Sequence, residues 1–141
     1  MTKWLAVGLT VVALGANSKE PALALSTWPV TGMQVVAPAD YRSGAEAART
    51  GATPVEIALK IVGPFEGATQ HLIQANEGRE VAVRSTVHVI RDGLLDDSVR
   101  GDRWEIALER DADAWSIRHV KRAWSCWRGE DRLRFGTVRC P

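Results

Sequence analysis

The chain has 141 residues, a formal net charge of +1, 45% hydrophobic and 25% charged side chains, and two cysteines. Such a length holds one domain, and the composition excludes wholesale disorder. A near-neutral total excludes a global attraction to nucleic acid or to an anionic membrane.

The first element in chain order is not part of a fold. Lys3 precedes an apolar run from Leu5 to Ala16, a polar stretch from Asn17 to Glu20, and then Ala22-Leu23-Ala24. These are the charged, apolar and small-x-small regions of a secretory signal, with cleavage expected after Ala24 and a second option at Ala13-Leu14-Gly15. As a helix the apolar run rises only about 18 Å, well short of a hydrocarbon core of about 30 Å, so a membrane anchor is disfavoured. The expected divisions are a signal peptide at 1–24, an extended or flexible arm at 25–52 and an α+β domain at 53–141. The expected location is outside the cytoplasm, periplasmic or secreted, with no membrane span once the signal is removed.

Residues 25–53 are rich in Ala, Gly, Ser, Thr and Pro and read as an arm laid over the surface, with a short strand at Met33–Val36 and a helical stretch near Gly44–Arg49. Thr53-Pro54-Val55-Glu56 is a capping box with proline in the first turn, and Gly63-Pro64 ends the helix it opens. From Ala68 the apolar period becomes two. Strands are expected at Thr69–Gln74, at Val81–Ile90 with the odd numbers apolar, at Arg103–Arg110 with Trp104, Ile106 and Leu108 on one face, and from Trp115 to Val120 with His119 on the Trp115 and Ile117 face. The expected fold is a short helix packed on a four-strand antiparallel meander, cystatin-like or NTF2-like by analogy.

Cys126 and Cys140 read as a disulfide, because the count is even in a chain read as exported and two thiolates without a CxxC make neither a zinc site nor a redox pair. The run Gly93-Leu94-Leu95-Asp96-Asp97-Ser98-Val99-Arg100-Gly101, then Arg103-Trp104-Glu105, Trp115, Cys126-Trp127-Arg128-Gly129 and Cys140, resembles a group of small secreted bacterial proteins of unassigned function. That group carries a Leu-x-Asp-Asp-Ser-Val segment and a disulfide-bounded tail, and the resemblance covers roughly residues 53–141. Its tail reads Cys-Trp-x-Gly-Arg-Gly-His where this chain has Cys-Trp-Arg-Gly-Glu-Asp-Arg. The resemblance implies export and the disulfide, and no activity.

No catalytic constellation emerges. Asp96-Asp97-Ser98 reads as a turn, because these side chains bond nearby backbone N–H groups and adjacent residues of an extended chain point apart. His71, His88 and His119 fall on separate strands with no metal-ligand spacing. No GxSxG elbow or phosphate-binding glycine loop occurs, so no metal or cofactor is expected. Charge is the one informative asymmetry: residues 25–114 hold 9 basic and 14 acidic side chains, whereas 115–141 hold 7 basic and 2 acidic. In the latter segment tryptophans alternate with arginines, and Trp124, Trp127, Arg128, Arg132 and Arg134 are the candidate ligand-binding residues, since aromatic faces and guanidinium groups together hold anionic ligands. The expected function is a non-enzymatic binding module for an anionic envelope component or an acidic protein, nucleic acid being disfavoured by export. The rivals are a small periplasmic enzyme or ligand carrier with a cavity between helix and sheet, and a purely structural envelope protein.

Overall fold

The computed structural model describes residues 25–42, 53–130 and 132–141. The expected signal segment and the helical stretch near Gly44–Arg49 lie outside the described residues. The strands are β1 (Gln34–Val35), β2 (Thr69–Glu77), β3 (Arg84–Asp92), β4 (Val99–Asp111) and β5 (Ala114–Cys126), with one α-helix, α1 (Pro54–Val62). They form a single antiparallel sheet in the order β1-β5-β4-β3-β2. The architecture is therefore α+β, with five strands where four were expected. The fifth strand is the short one expected in the arm at Met33–Val36, which joins the sheet edge by pairing Gln34 and Val35 with Arg122 and Lys121.

Helix α1 starts where the capping box places it. The Thr53 hydroxyl accepts from the Glu56 N–H, and the Glu56 carboxylate accepts from the Thr53 N–H at 3.1 Å. It stops at Gly63, whose φ of 73° lies in the left-handed region that glycine tolerates best. Its buried side, Ile57, Ala58, Ile61 and Val62, packs on Val87 and Val89 of β3, Trp104, Ile106 and Leu108 of β4, and Val120 of β5. The pattern follows from period-two strands meeting a period-3.6 helix. That interface is filled, since Ile57, Ile61, Val87, Val89 and Ile106 are all at 0% exposure.

Strand alternation alone predicts one buried face. Here both faces carry apolar cover, because Leu25, Trp28, Val30 and Met33 of the arm and Phe135 of the tail pack with Ile90, Ala123 and Ile73 on the side opposite α1. Backbone bonds stitch the cover together: Thr31 N–H donates to the Phe135 carbonyl, Phe135 N–H to the Pro29 carbonyl, and Trp124 and Gly136 exchange a pair. The Cys126–Cys140 disulfide, with Cα atoms 5.5 Å apart, closes the tail.

Two irregularities between β4 and β5 redirect side chains. Ala107 pairs with His119 and Leu108 with Ile117, leaving Arg118 as the extra residue. A bulge inserts one residue and so reverses the alternation beyond it. His119 consequently leaves the Trp115 and Ile117 face, where the sequence alternation put it, and meets Glu105 on the opposite side. The second bulge, with Val99 on Cys126 and Gly101 on Ser125, frees Arg100 from the ladder.

Candidate functional site

The end of the sheet that holds the β3–β4 connection and the C-terminal tail gathers most of the chemistry. At its base lies Arg91, 4% exposed on β3. One of its terminal nitrogens donates to the carbonyls of Val62 (3.1 Å) and Pro64 (3.4 Å), the other to the Gly63 carbonyl, and its Nε donates to Gln70 Oε1 at 3.0 Å. These carbonyls close α1 and carry the negative end of its dipole, so a guanidinium is matched to them in both geometry and sign. Asp102 and Arg122 sit on the same face: Arg122 bonds Asp102 Oδ2 at 3.2 Å and lies against Trp104 (4.9 Å to the ring centre) and Trp124 (5.9 Å). Beside them runs a cleft of about 290 Å³ lined by Arg42, Arg91, Asp102 and Arg122 together with Leu94, Leu95 and Val99. Its charges are mixed, since Glu66 and Asp96 also line it.

Above this base the β3–β4 connection and the tail lock onto each other. Asp96 Oδ1 accepts from the N–H groups of Ser98 (2.9 Å) and Val99 (2.6 Å), which holds its carboxyl below the usual range. Asp96-Asp97-Ser98 is thus a turn, with Asp96 bonded to its own backbone. Arg100, freed by the bulge, makes a two-pronged pair with Asp92 (3.0 and 3.1 Å), lies over the Trp127 ring and donates to the Arg132 carbonyl. Trp127 N–H donates to the Ser98 carbonyl at 2.9 Å, and Arg128 reaches the Asp97 carbonyl at 3.4 Å.

Of the candidate residues, Trp127, Arg128 and Arg132 are brought together at this tip, and Arg134 is exposed on the same tail. Trp124 is not with them. It points to the α1 side, where its Nε1 donates to the Val138 carbonyl at 2.8 Å and its ring shares a depression with Arg122 and Arg139. Arg132 lines a depression on the opposite side with Trp28, Leu133 and Phe135. Among the described residues, Arg128 and Arg132 bond only to backbone carbonyls, Arg132 to that of Gly129 at 3.4 Å. Comparison with protein-family models, curated proteins and solved structures finds no match to this chain.

A separate polar group lies midway along the face away from α1. Glu105 Oε1 accepts from Lys121 Nζ at 3.1 Å and sits 3.2 Å from His119 Nε2. Burial pushes the Glu105 carboxyl up, but the bonds from Lys121 and His119 and the nearby charges outweigh it, and the net shift is downward. His88 stands opposite Glu105 in the ladder, 8% exposed, with Nδ1 unbonded. Burial lowers its pKa more than the Glu105 charge raises it, and Arg103 lowers it further. No group of three metal-ligating side chains occurs among the described residues.

The sequence reading did not reach Arg91 or Arg100. Arg91 directly follows the strand expected to end at Ile90, and Arg100 falls between that strand and the one expected from Arg103. A cation placed about 28 residues after a glycine-capped helix is no signal by itself; only the sheet topology brings Arg91 beneath that cap.

Proposed function

We propose that the protein is an exported, non-enzymatic domain that binds an anionic ligand or partner through its basic, tryptophan-bearing C-terminal lobe. The observation that carries this reading is the state of the tail arginines. Arg128 and Arg132 stand exposed beside Trp127, and among the described residues their bonds go to carbonyl oxygens, which carry no charge to neutralise a guanidinium. The segment from Cys126 to Pro141 holds four arginines against Glu130 and Asp131. The disulfide and the Arg100 contacts hold these groups in place, which lowers the entropy cost of binding. An oxidising compartment, where such a disulfide persists, agrees with the secretory pattern at the N-terminus.

The filled helix–sheet interface favours this reading over a carrier with an interior cavity, because a buried ligand site needs enclosed volume and the apolar side chains occupy it. The order of one helix followed by an antiparallel meander supports a cystatin-like or NTF2-like assignment by analogy. The test is retention on immobilised heparin. Salt elutes the parent protein, and Arg128→Glu with Arg132→Glu moves elution to lower salt at an unchanged melting temperature. Retention indifferent to both salt and the substitutions refutes the proposal.

A further inference from the structure

We infer that the depression beside Trp124, on the α1 side, is a saccharide subsite that takes a sugar ring carrying one carboxylate, a hexuronate unit of a longer chain. It is separate from the tip arginines Arg128 and Arg132, on which the reading above rests. Four segments meet there: Gln34 comes from β1, Ser98 from the β3–β4 connection, Arg122 and Trp124 from β5, and Thr137 and Arg139 from the tail. They bound about 540 Å³, within the range of roughly 300–1,000 Å³ in which ligand pockets fall. The space is an open depression, suited to a chain that passes over it. Its walls are fastened to one another. Trp124 exchanges two backbone bonds with Gly136 and donates from Nε1 to the Val138 carbonyl, Trp127 N–H holds the Ser98 carbonyl, and Gln34 pairs with Arg122 in the sheet. The Cys126–Cys140 disulfide closes the tail over them. Walls formed in advance lower the entropy cost of binding.

The chemistry of the walls selects the ligand class. Trp124 is half-buried and lends an aromatic surface, against which the C–H face of a sugar ring packs. Gln34, Ser98 and Thr137 carry groups that both donate and accept, and their side chains make no hydrogen bond among the described residues. Sugar hydroxyls also do both, whereas a phosphate, a sulfate or a peptide carboxylate only accepts. Among the described residues no carboxylate lines the depression, and its two cations differ in state. Arg122 is paired with Asp102. Arg139 is exposed, and its guanidinium has neither ion pair nor hydrogen bond among the described residues. One free guanidinium calls for one anionic group, and its planar fork matches a carboxylate. The surroundings are of mixed charge, because Glu66 and Asp96 line the adjoining cleft, which shares Val99 and Arg122 with this depression. A densely charged polyanion is repelled there. A hydroxylated ring with a single carboxylate is not.

The test is titration calorimetry with tetrasaccharides of galacturonate, glucuronate and mannuronate, each beside its methyl-esterified form. The parent is expected to bind at least one of the acids, and the matching ester about tenfold or more weakly. Arg139→Gln, at an exposed position, is expected to weaken the acid by about tenfold at an unchanged melting temperature, and Thr137→Val by about threefold. Arg128→Glu with Arg132→Glu is expected to stay within about twofold of the parent for the acid, while it moves heparin elution to lower salt. A parent that binds none of the three acids overturns the inference, as does an ester that binds as tightly as its acid. Inorganic phosphate that displaces the acid at equal concentration also overturns it, because the ring is then not read. Acid binding lost in the tip variant and kept in Arg139→Gln moves the site to the tip and overturns the inference while the reading above stands. Loss of heparin retention in the parent with uronate binding intact removes that reading and leaves this one.

Discussion

Replacing Arg91 by methionine isolates one idea, that a sheet residue closes helix α1. The side chain is buried, and four acceptors depend on it: the carbonyls of Val62, Gly63 and Pro64, and the Gln70 amide oxygen. Methionine fills much of the volume and makes none of those bonds. Hydrogen bonds from a charged donor contribute roughly 1.5–3 kcal/mol each, and a buried acceptor left alone costs roughly 1–3 kcal/mol. Two of the helix carbonyls can reach water once the guanidinium is gone, and relief of the cost of burying a charge offsets part of the loss. The net expectation is about 3–4 kcal/mol, a large share of the 5–15 kcal/mol that holds a typical domain together. Arg91→Lys retains a cation but not the planar fork, and is expected to lose about 2 kcal/mol. Urea unfolding followed by tryptophan fluorescence measures both. A loss below about 1 kcal/mol for the methionine variant would refute the claim that this guanidinium fastens α1 to the sheet.

Three further outcomes follow from the same structure. Cys126→Ser with Cys140→Ser opens a loop of sequence separation 14 and is expected to cost about 3 kcal/mol in urea unfolding, as reduction of the parent should. An equal stability of oxidised and reduced parent would contradict it. Gly101→Ala would place a Cβ 2.4 Å from the Arg91 carbonyl oxygen, between two central strands, so β4 must shift; a loss of about 2 kcal/mol or more is expected, and a neutral result would contradict the packing there. Because the His88 pKa is lowered from its ordinary 6.5, the unfolded chain binds that proton first. Stability is therefore complete above pH 6.5 and starts to fall just below it. A deeper loss follows as acid protonates Glu105 and Asp96, whose carboxyls sit below their ordinary range in the fold. Substituting His88→Asn should erase the first phase and spare the second, and a urea midpoint with the same pH profile as the parent would refute this assignment.

The elements legible in the sequence were those encoded locally. Thr53, Pro54 and Glu56 mark the start of α1 and Gly63 its end, since caps depend on residues within one turn. Trp104, Ile106 and Leu108 declare a strand and its inner face by period two. What was not legible depends on contacts distant in sequence. The short strand expected at Met33–Val36 is present as Gln34–Val35, but its place at the β5 edge of the sheet was not legible, because two residues carry no signal of the partner they pair with. Ile90 falls on the even face that alternation assigns to solvent, yet it is fully buried because Phe135 and the arm cover it. His119 changed sides through a bulge at Arg118 that no residue pattern announces. The candidate site divided for a related reason: Trp124 and Trp127 are three apart in sequence, but the strand sends Trp124 to the α1 side while Trp127 lies beyond its end, at the tip.

The central claim is that the tail arginines meet an anion, and it is tested most directly by the salt dependence of binding to a heparin oligosaccharide. The comparison is between the parent, Arg128→Glu with Arg132→Glu, and Arg84→Glu with Arg118→Glu, which makes the same charge change at the opposite end of the sheet. The slope of log affinity against log salt is expected to shrink by roughly two for the tail variant, as for the loss of two ionic contacts, and to stay near the parent value for the distant pair. Equal slopes for the two variants would mean that binding follows net charge alone, and the tail would lose its assigned role.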